Sequence, residues 1–271
     1  MTKDLKSSTV ETYLSSLKTI HSLNNLDSSG FNNFVLKNIL RGKENMELYS
    51  DVVKETRKVM TLPLLKILGN EIAKVDWEDH SNQVVWSVFT LAFFGSFRMG
   101  ELLSPQENSF SPKDTLLWKD VSFLSPSHLI VHIKTPKSRM PDGEFIDIFE
   151  FSGHNVCPVR SLCRLRDSLS HVDQNSPVFR FSSGQLLTLN RVNSILPQLL
   201  STHLDADSGC ITGHSFRAAI PAILAKHPDV ANSSDIMGWG RWKSEAYLSY
   251  TRLKLKQKQD AFTKITDLLN L

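Results

Sequence analysis

The stretch VVWSVFTLAFFGSF, from Val84 to Phe97, constrains the fold more than any other part of the chain. A helix that is apolar on every side cannot lie on a surface, so other elements of the same chain have to surround it. A bilayer span needs about 20 continuous apolar residues. This run is shorter and is interrupted by Ser, Thr and Gly, so it reads as a buried helix. It belongs to a helical pattern over residues 82–103 with a break near Gly95. A chain of 271 residues with 41% hydrophobic content can bury such a helix in one large domain, or in a medium one beside a small one.

The periodicity on either side fixes the rest of the architecture. Val10, Tyr13, Leu14, Leu17 and Ile20 recur at helical spacing over residues 8–23, with Ser8 or Thr9 as the expected cap. NNLDSSG breaks that helix. A second helical pattern covers about Phe31 to Leu40 and ends at RGKEN, and the mixed-charge segment YSDVVKETRKVM places a boundary near residue 56. TLPLLKILGNEIAK then opens a helix capped at Thr61, with Pro63 in its first turn. After SPQENSFSPKD the period falls to two, and WKDVSF, HLIVHI and EFIDIF read as three short strands. KTPKSRMPDG joins the second and third as a long basic hairpin. CPVRSLCRLRDSL, LTLNRVNSILPQLLSTHL, the region Thr212 to Arg252 and about Lys254 to Leu269 return to helix. The expected fold is mainly α with a small antiparallel β-sheet: a helical piece over residues 1–56 and a larger domain over 57–271.

Bulk charge narrows function little. The net charge is +3, which is only mildly basic, so local clusters have to be read instead. Cys157, Cys163 and Cys210 form neither a disulfide framework nor a zinc-binding pair, as expected of an intracellular, reduced protein. MTKDLKSSTVETYL carries no apolar signal core.

The chemistry gathers in a few short segments. TGHSFR places His214 and Arg217 three apart, on one face of a helix. FFGSFRMGELL puts Arg98 after the buried run with Glu101 one turn on; a carboxylate there would orient the guanidinium fork for bidentate phosphate binding. HIKTPKSRM holds Lys134, Lys137 and Arg139. GRWKSEAYLSYTR holds Trp242, Tyr247 and Tyr250. Each has an ordinary structural reading: a solvated helix start, a helix-end arginine, a solvated hairpin tip, packing aromatics. As a set they suit phosphodiester transfer without metal. A phenol attacks, two guanidiniums hold the non-bridging oxygens, a lysine protonates the leaving 5′-oxygen, and an indole N–H adds a hydrogen bond. No carboxylate cluster suggests Mg²⁺, so neither metal nor cofactor is expected.

These segments resemble those of the tyrosine recombinases, the phage-integrase family, over nearly the whole chain. GSFRMGELL is similar to the motif of the family's first arginine and gives Arg98, with Glu101 in support. IKTPKSR is similar to the hairpin of the catalytic lysine, Lys137 being the first choice and Lys134 the second. TGHSFR gives His214 and Arg217. GRWKSEAYLSYTR gives Trp242, where the family has His or Trp, and the nucleophile Tyr250. GRWKSEAYLSYTR, SSTVETYLSSLKTIHSL and CPVRSL look most like the eukaryotic Crypton- and DIRS-type mobile-element recombinases. The resemblance implies a clamp on double-stranded DNA, a partial helical core-binding domain before the catalytic domain, a covalent 3′-phosphotyrosine intermediate without ATP, and a dimer on one site that becomes a tetramer in synapsis. Phe262, Ile265, Leu268 and Leu269 recur at helical spacing as a face that packs on its own domain or, as in the family, is exchanged with a neighbouring protomer; the resemblance also implies nuclear localisation for a eukaryotic element or cytoplasmic for a bacterial one.

Other basic residues suggest DNA contacts: Arg41, Lys43, Lys54, Arg57, Lys58, Lys134, Arg139, Arg241 and Lys243. Three departures from the family pattern stand out. The N-terminal piece resembles only the second half of a core-binding domain, as a truncated chain would. Pro221 removes an N–H that would bond the Arg217 carbonyl, which predicts a kink. IMGWGRW leaves Trp239 as an alternative to Trp242. The competing functions are a DNA-binding descendant without cleavage and a type IB topoisomerase.

Overall fold

The structure, a computed structural model, describes residues 5–49, 59–136, 142–151, 156–203, 211–227 and 229–242. The chain divides into two compact units, Met1–Glu55 and Thr56–Leu271.

The first unit pairs α1 (Ser7–Leu23) with α2 (Phe34–Tyr49). Neither expected cap is used. α1 starts one residue before the predicted range, with Lys6 at the cap position and no side-chain bond there. α2 begins later and runs well past RGKEN, because a 3-10 turn occupies Ser29–Asn32. Asp27 stabilises that turn by accepting from the backbone and hydroxyl of Ser29.

The second unit opens with α3 (Leu62–Lys74), whose Thr61 cap accepts from the Leu64 N–H as its sequence predicts. α4 (Asp79–Phe94) is the centre of the core. Its residues Val84, Val85, Val88, Phe89, Leu91, Ala92 and Phe93 are buried, and it packs against α3, α6, α8 and α9 of the same unit, the last three defined below. Two buried hydroxyls on this helix are satisfied: Ser87 donates to the Ser161 carbonyl, and Thr90 donates back along its own helix. The helix stops at Gly95, the predicted break, and a short α5 (Met99–Leu102) follows.

β1 (Val121–Ser125), β2 (His128–Ile133) and β3 (Glu144–Phe149) form one antiparallel sheet in that order. Alternation decides which face is buried: Leu129, Val131 and Ile133 point to the core, while His128 and His132 stack on Phe149 and Phe145 across the strand pair. Trp118–Asp120, expected in the first strand, is instead a 3-10 turn, closed by the Asp120 carboxylate accepting from the Leu117 N–H. Gly143 enters β3 at φ 75°, where a Cβ would lie 2.5 Å from the Ile133 carbonyl oxygen, so this end of the hairpin requires glycine.

The remaining helices are α6 (Pro158–Asp167), α7 (Leu189–Leu200), α8 (Gly213–Arg217), α9 (Ala219–Leu224) and α10 (Ser233–Gly240). The break between α8 and α9 falls at Ala218, as expected from a proline at position 221 that cannot donate to the Arg217 carbonyl. The expected mainly α fold with a small three-stranded antiparallel sheet is the observed one. Among the described residues, no helix is long and apolar enough to cross a membrane.

Candidate phosphate-binding site

The site forms where three chain reversals converge. The first is the corner after α4. Arg98 precedes α5, and Glu101 within that helix turns back on it: one carboxylate oxygen accepts from the Arg98 backbone N–H at 2.8 Å and the other from its guanidinium at 2.7 Å. The Arg98 side chain keeps 31% exposure while Glu101 keeps 6%. The carboxylate is therefore the buried anchor and the guanidinium the accessible end.

The second is the start of α8. Thr212 caps the helix by accepting from the His214 N–H, and Ser215 closes the cap by accepting from the Thr212 N–H. Gly213 is pressed against Met99; a Cβ would lie 2.6 Å from the methionine Cγ, so only glycine lets α8 approach α5 this closely. Phe216 stacks on Phe89 of α4, with ring centroids 5.1 Å apart, which fixes the rotation of α8. That rotation leaves His214 exposed and drives Arg217 inward to 1% exposure. A solvated helix start, the ordinary reading of an HxxR pair, does not describe Arg217.

The third is the end of α10. Arg241 leaves the helix in the left-handed conformation, φ 53°, and Trp242 follows it. Arg217 ties this reversal to the first, donating to the Ser96 carbonyl at 2.8 Å and to the Gly240 carbonyl at 2.6 Å. The Trp242 ring lies 5.8 Å from the Arg217 guanidinium. Trp239 takes a different position, its indole N–H donating to the Phe94 carbonyl. Of the two tryptophans, Trp242 is the one the fold brings to Arg217.

Arg241 was expected among surface cations that meet DNA. Its side chain is instead 8% exposed and held by two carboxylates, at 2.8 Å from Glu101 and 3.2 Å from Glu144 on β3, with a further bond to the Ser96 carbonyl. Sequence reasoning missed this role, and it missed Ser96 and Glu144 altogether. The partners are more than 90 residues apart in the chain, so no local spacing could have paired them.

The electrostatics follow from this crowding. Burial acts to raise the Glu101 carboxyl, but the charge and hydrogen bond of Arg241 and the two bonds from Arg98 outweigh it and hold the group below the usual carboxylate range. Burial, together with the charges of Arg241 and Arg98, lowers the Arg217 guanidinium to about 10 against the opposing pull of Glu101 and Glu144. Arg217 therefore remains cationic at neutral pH.

Lys134 sits at the end of β2. Its ammonium donates to the Asp120 carboxylate at 2.6 Å and to the Thr115 carbonyl at 2.9 Å. Arg41 is exposed on α2 and Lys43 half-buried there. Lys54, Arg57, Lys58, Lys137, Arg139, Lys243, Tyr247, Tyr250 and the expected C-terminal helix lie outside the described residues.

No family model matches the sequence, and no curated protein matches it either. Solved structures do match. The XerA recombinase superimposes with a TM-score of 0.52 at 14% identity, over 97% of this chain and 84% of that one. The Tn1549 transposon integrase in complex with a circular intermediate DNA gives 0.51 at 12% identity, over 97% and 86%. The XerH site-specific recombinase bound to its difH substrate gives 0.51 at 13% identity, over 74% of this chain, which spans only 52% of XerH. The chain thus has the fold of site-specific recombinases and transposon integrases, and it resembles tyrosine recombinase catalytic domains.

Proposed function

We propose that this chain is a site-specific DNA recombinase or integrase that cuts and rejoins strands through a covalent 3′-phosphotyrosine, without metal or ATP. The observation that carries this reading is the convergence of Arg98, Glu101, Arg217 and Trp242, from three separate segments, at one site in a recombinase fold.

In this mechanism the Tyr250 oxygen attacks the scissile phosphorus. The Tyr–O–P bond forms as the P–O5′ bond breaks. His214 assists the proton leaving the phenol, and Arg98 and Arg217 hold the two non-bridging oxygens, where charge builds in the transition state. Trp242 packs against Arg217 and offers its indole N–H. The 5′-oxygen leaves as a hydroxyl, with a proton from Lys137. Lys134 is the second choice, and its pairing with Asp120 supports that ranking. Attack by a 5′-hydroxyl reverses the sequence and reseals the strand. Double-stranded DNA is the partner. Assembly runs from a dimer on one site to a synaptic tetramer through C-terminal helix exchange, and the eukaryotic mobile-element phrasing of the motifs favours action in the nucleus.

One observation favours a second reading, a DNA-binding relative that no longer cleaves: Arg217 is 1% exposed, with donors committed to two backbone carbonyls. A suicide duplex carrying the element's own terminal sequence separates the two. Wild type is expected to form a metal-independent protein–DNA adduct, resolved on a denaturing gel, and Tyr250→Phe none. Binding without an adduct in wild type would establish the second reading.

A further inference from the structure

Among the described residues of the second unit, two other than glycine hold a left-handed backbone, Ser96 at φ 48° and Arg241 at φ 53°. That region is sterically costly for a side chain and persists only where the surroundings enforce it, most often at functional sites. Here the two strained residues meet. Arg241 Nη2 donates to the Ser96 carbonyl at 3.0 Å, and Arg217 Nη1 donates to the same oxygen. Two further polar atoms at this junction, Arg241 Nε and Ser96 Oγ, are buried without a hydrogen-bond partner among the described residues. Stability alone gives no reason to keep strain and orphaned donors together.

The key lies in how Glu101 is shared. Its Oε1 takes the Arg98 guanidinium. Its Oε2 accepts the Arg98 backbone N–H at 2.8 Å and Arg241 Nη2 at 2.8 Å, and Arg217 Nη1 waits at 3.9 Å. Arg241 thus occupies the bonding position that Arg217 would otherwise compete for. The second carboxylate on Arg241, Glu144, belongs to β3, so the sheet braces the arrangement from outside the active-site helices.

We propose that Arg241 is a positioning residue. By occupying Glu101 Oε2 and tying that carboxylate to Glu144, it keeps Glu101 turned toward Arg98 and leaves Arg217 unclaimed by the carboxylate. Arg98 is then presented to a phosphate as an oriented fork, and Arg217 keeps its positive charge beside it. Without Arg241, Oε2 is left with Arg217 Nη1 at 3.9 Å. Glu101 swings toward it, Arg98 loses its orienting bond, and Arg217 is neutralised by an ion pair. This rests on the recombinase reading only for what the two arginines hold, not for the geometry itself.

Arg241→Gly isolates the side chain, since glycine adopts φ 53° without strain and the backbone reversal survives. The test has two arms on the full-length chain. Nitrogen-15 NMR of the arginine side chains reads rotation of the Arg98 guanidinium without DNA: slow in wild type, fast in Arg241→Gly, and partly slowed again in Arg241→Lys. Single-turnover cleavage of the suicide duplex is expected to fall about 100-fold in Arg241→Gly, the scale of a small misplacement of a catalytic group. The dissociation constant for the same duplex should change less than about threefold, and Arg241→Lys should recover part of the rate. Unchanged Arg98 rotation in Arg241→Gly overturns the proposal whatever the enzyme does. So does an unchanged cleavage rate. Absence of any adduct with wild type overturns the recombinase reading instead, and the NMR arm still decides the role of Arg241.

Discussion

The arginine site and the lysine at the end of β2 are both cation–carboxylate arrangements, and they differ in balance. Around Lys134 the charges match: one ammonium meets one carboxylate, and the remaining bonds go to the Thr115 carbonyl and the Leu117 N–H. Around Glu101 they do not. Three guanidiniums, Arg98, Arg217 and Arg241, share two carboxylates, Glu101 and Glu144, leaving one net positive charge in a largely buried setting. A neutral, satisfied pair fastens a strand end. A cluster with surplus cation is stabilised when an anion arrives, and of its members Arg98 is the most accessible at 31% exposure. The difference shows why a basic residue near a site is not by itself a ligand-binding residue: what counts is whether its charge is already matched.

The sharpest way to break this contrast is Arg217→Met. It removes a buried cation that clamps two chain reversals and adds positive charge beside the proposed phosphate. Adduct formation should fall by about 1,000-fold. Losing both carbonyl partners should cost about 3 kcal/mol of unfolding free energy, read by urea denaturation. A variant that keeps wild-type cleavage would remove the arginine cluster from the mechanism.

Glu101→Gln should come next, at about 3 kcal/mol of stability, because the buried Arg217 and Arg241 and the partly exposed Arg98 lose a shared counter-charge. It also predicts a pH signature. The folded pKa of Glu101 lies below its unfolded value, so the group contributes stability fully above the unfolded value of about 4.3 and loses it as pH falls through the lower folded value. Wild type should therefore lose stability in that acidic window, and Glu101→Gln should lose less of it. Parallel pH–stability curves for the two proteins would contradict the assignment.

Asp120→Asn tests the other half of the contrast. It should lower stability by about 1 to 2 kcal/mol in thermal unfolding and leave cleavage within about threefold of wild type. A rise in cleavage would mean that Asp120 restrains Lys134, and that Lys134 rather than Lys137 is the proton donor.

The smallest expected effect separates the two tryptophans. Trp242→Phe should slow adduct formation by about tenfold, the scale of one lost hydrogen bond in a packed site. Trp239→Phe should change it by less than about twofold. The reverse order would shift the register by three residues.

Much of the architecture was legible in local pattern. The apolar run from Val84 to Phe97 had to be a central helix. Thr61 capped the helix it was expected to cap, and HLIVHI and EFIDIF formed the strand pair expected of them. Local pattern failed at two element starts. WKD reads as the start of a strand, but the Asp120 carboxylate bonds the Leu117 N–H and Lys134 to form a turn. Ser8 and Thr9 are good capping types, yet α1 begins a residue earlier without them.

The same division holds for the candidate site. The sequence by itself determined the supply of chemistry: an HxxR pair on one short helix, an arginine with a carboxylate three residues on, and a Gly-Arg-Trp segment. These depend on spacing within a turn or two, which covalent geometry fixes. Only the tertiary structure decided that Arg217 is buried while His214 is exposed, that Trp242 rather than Trp239 meets Arg217, and that Arg241 turns inward to Glu101 and Glu144. Those outcomes depend on how far one helix rotates against another, on a glycine that lets α8 touch α5, and on two left-handed residues that aim carbonyls and side chains at a common point. Each is settled by packing between residues well separated in the chain, and no local spacing encodes that distance.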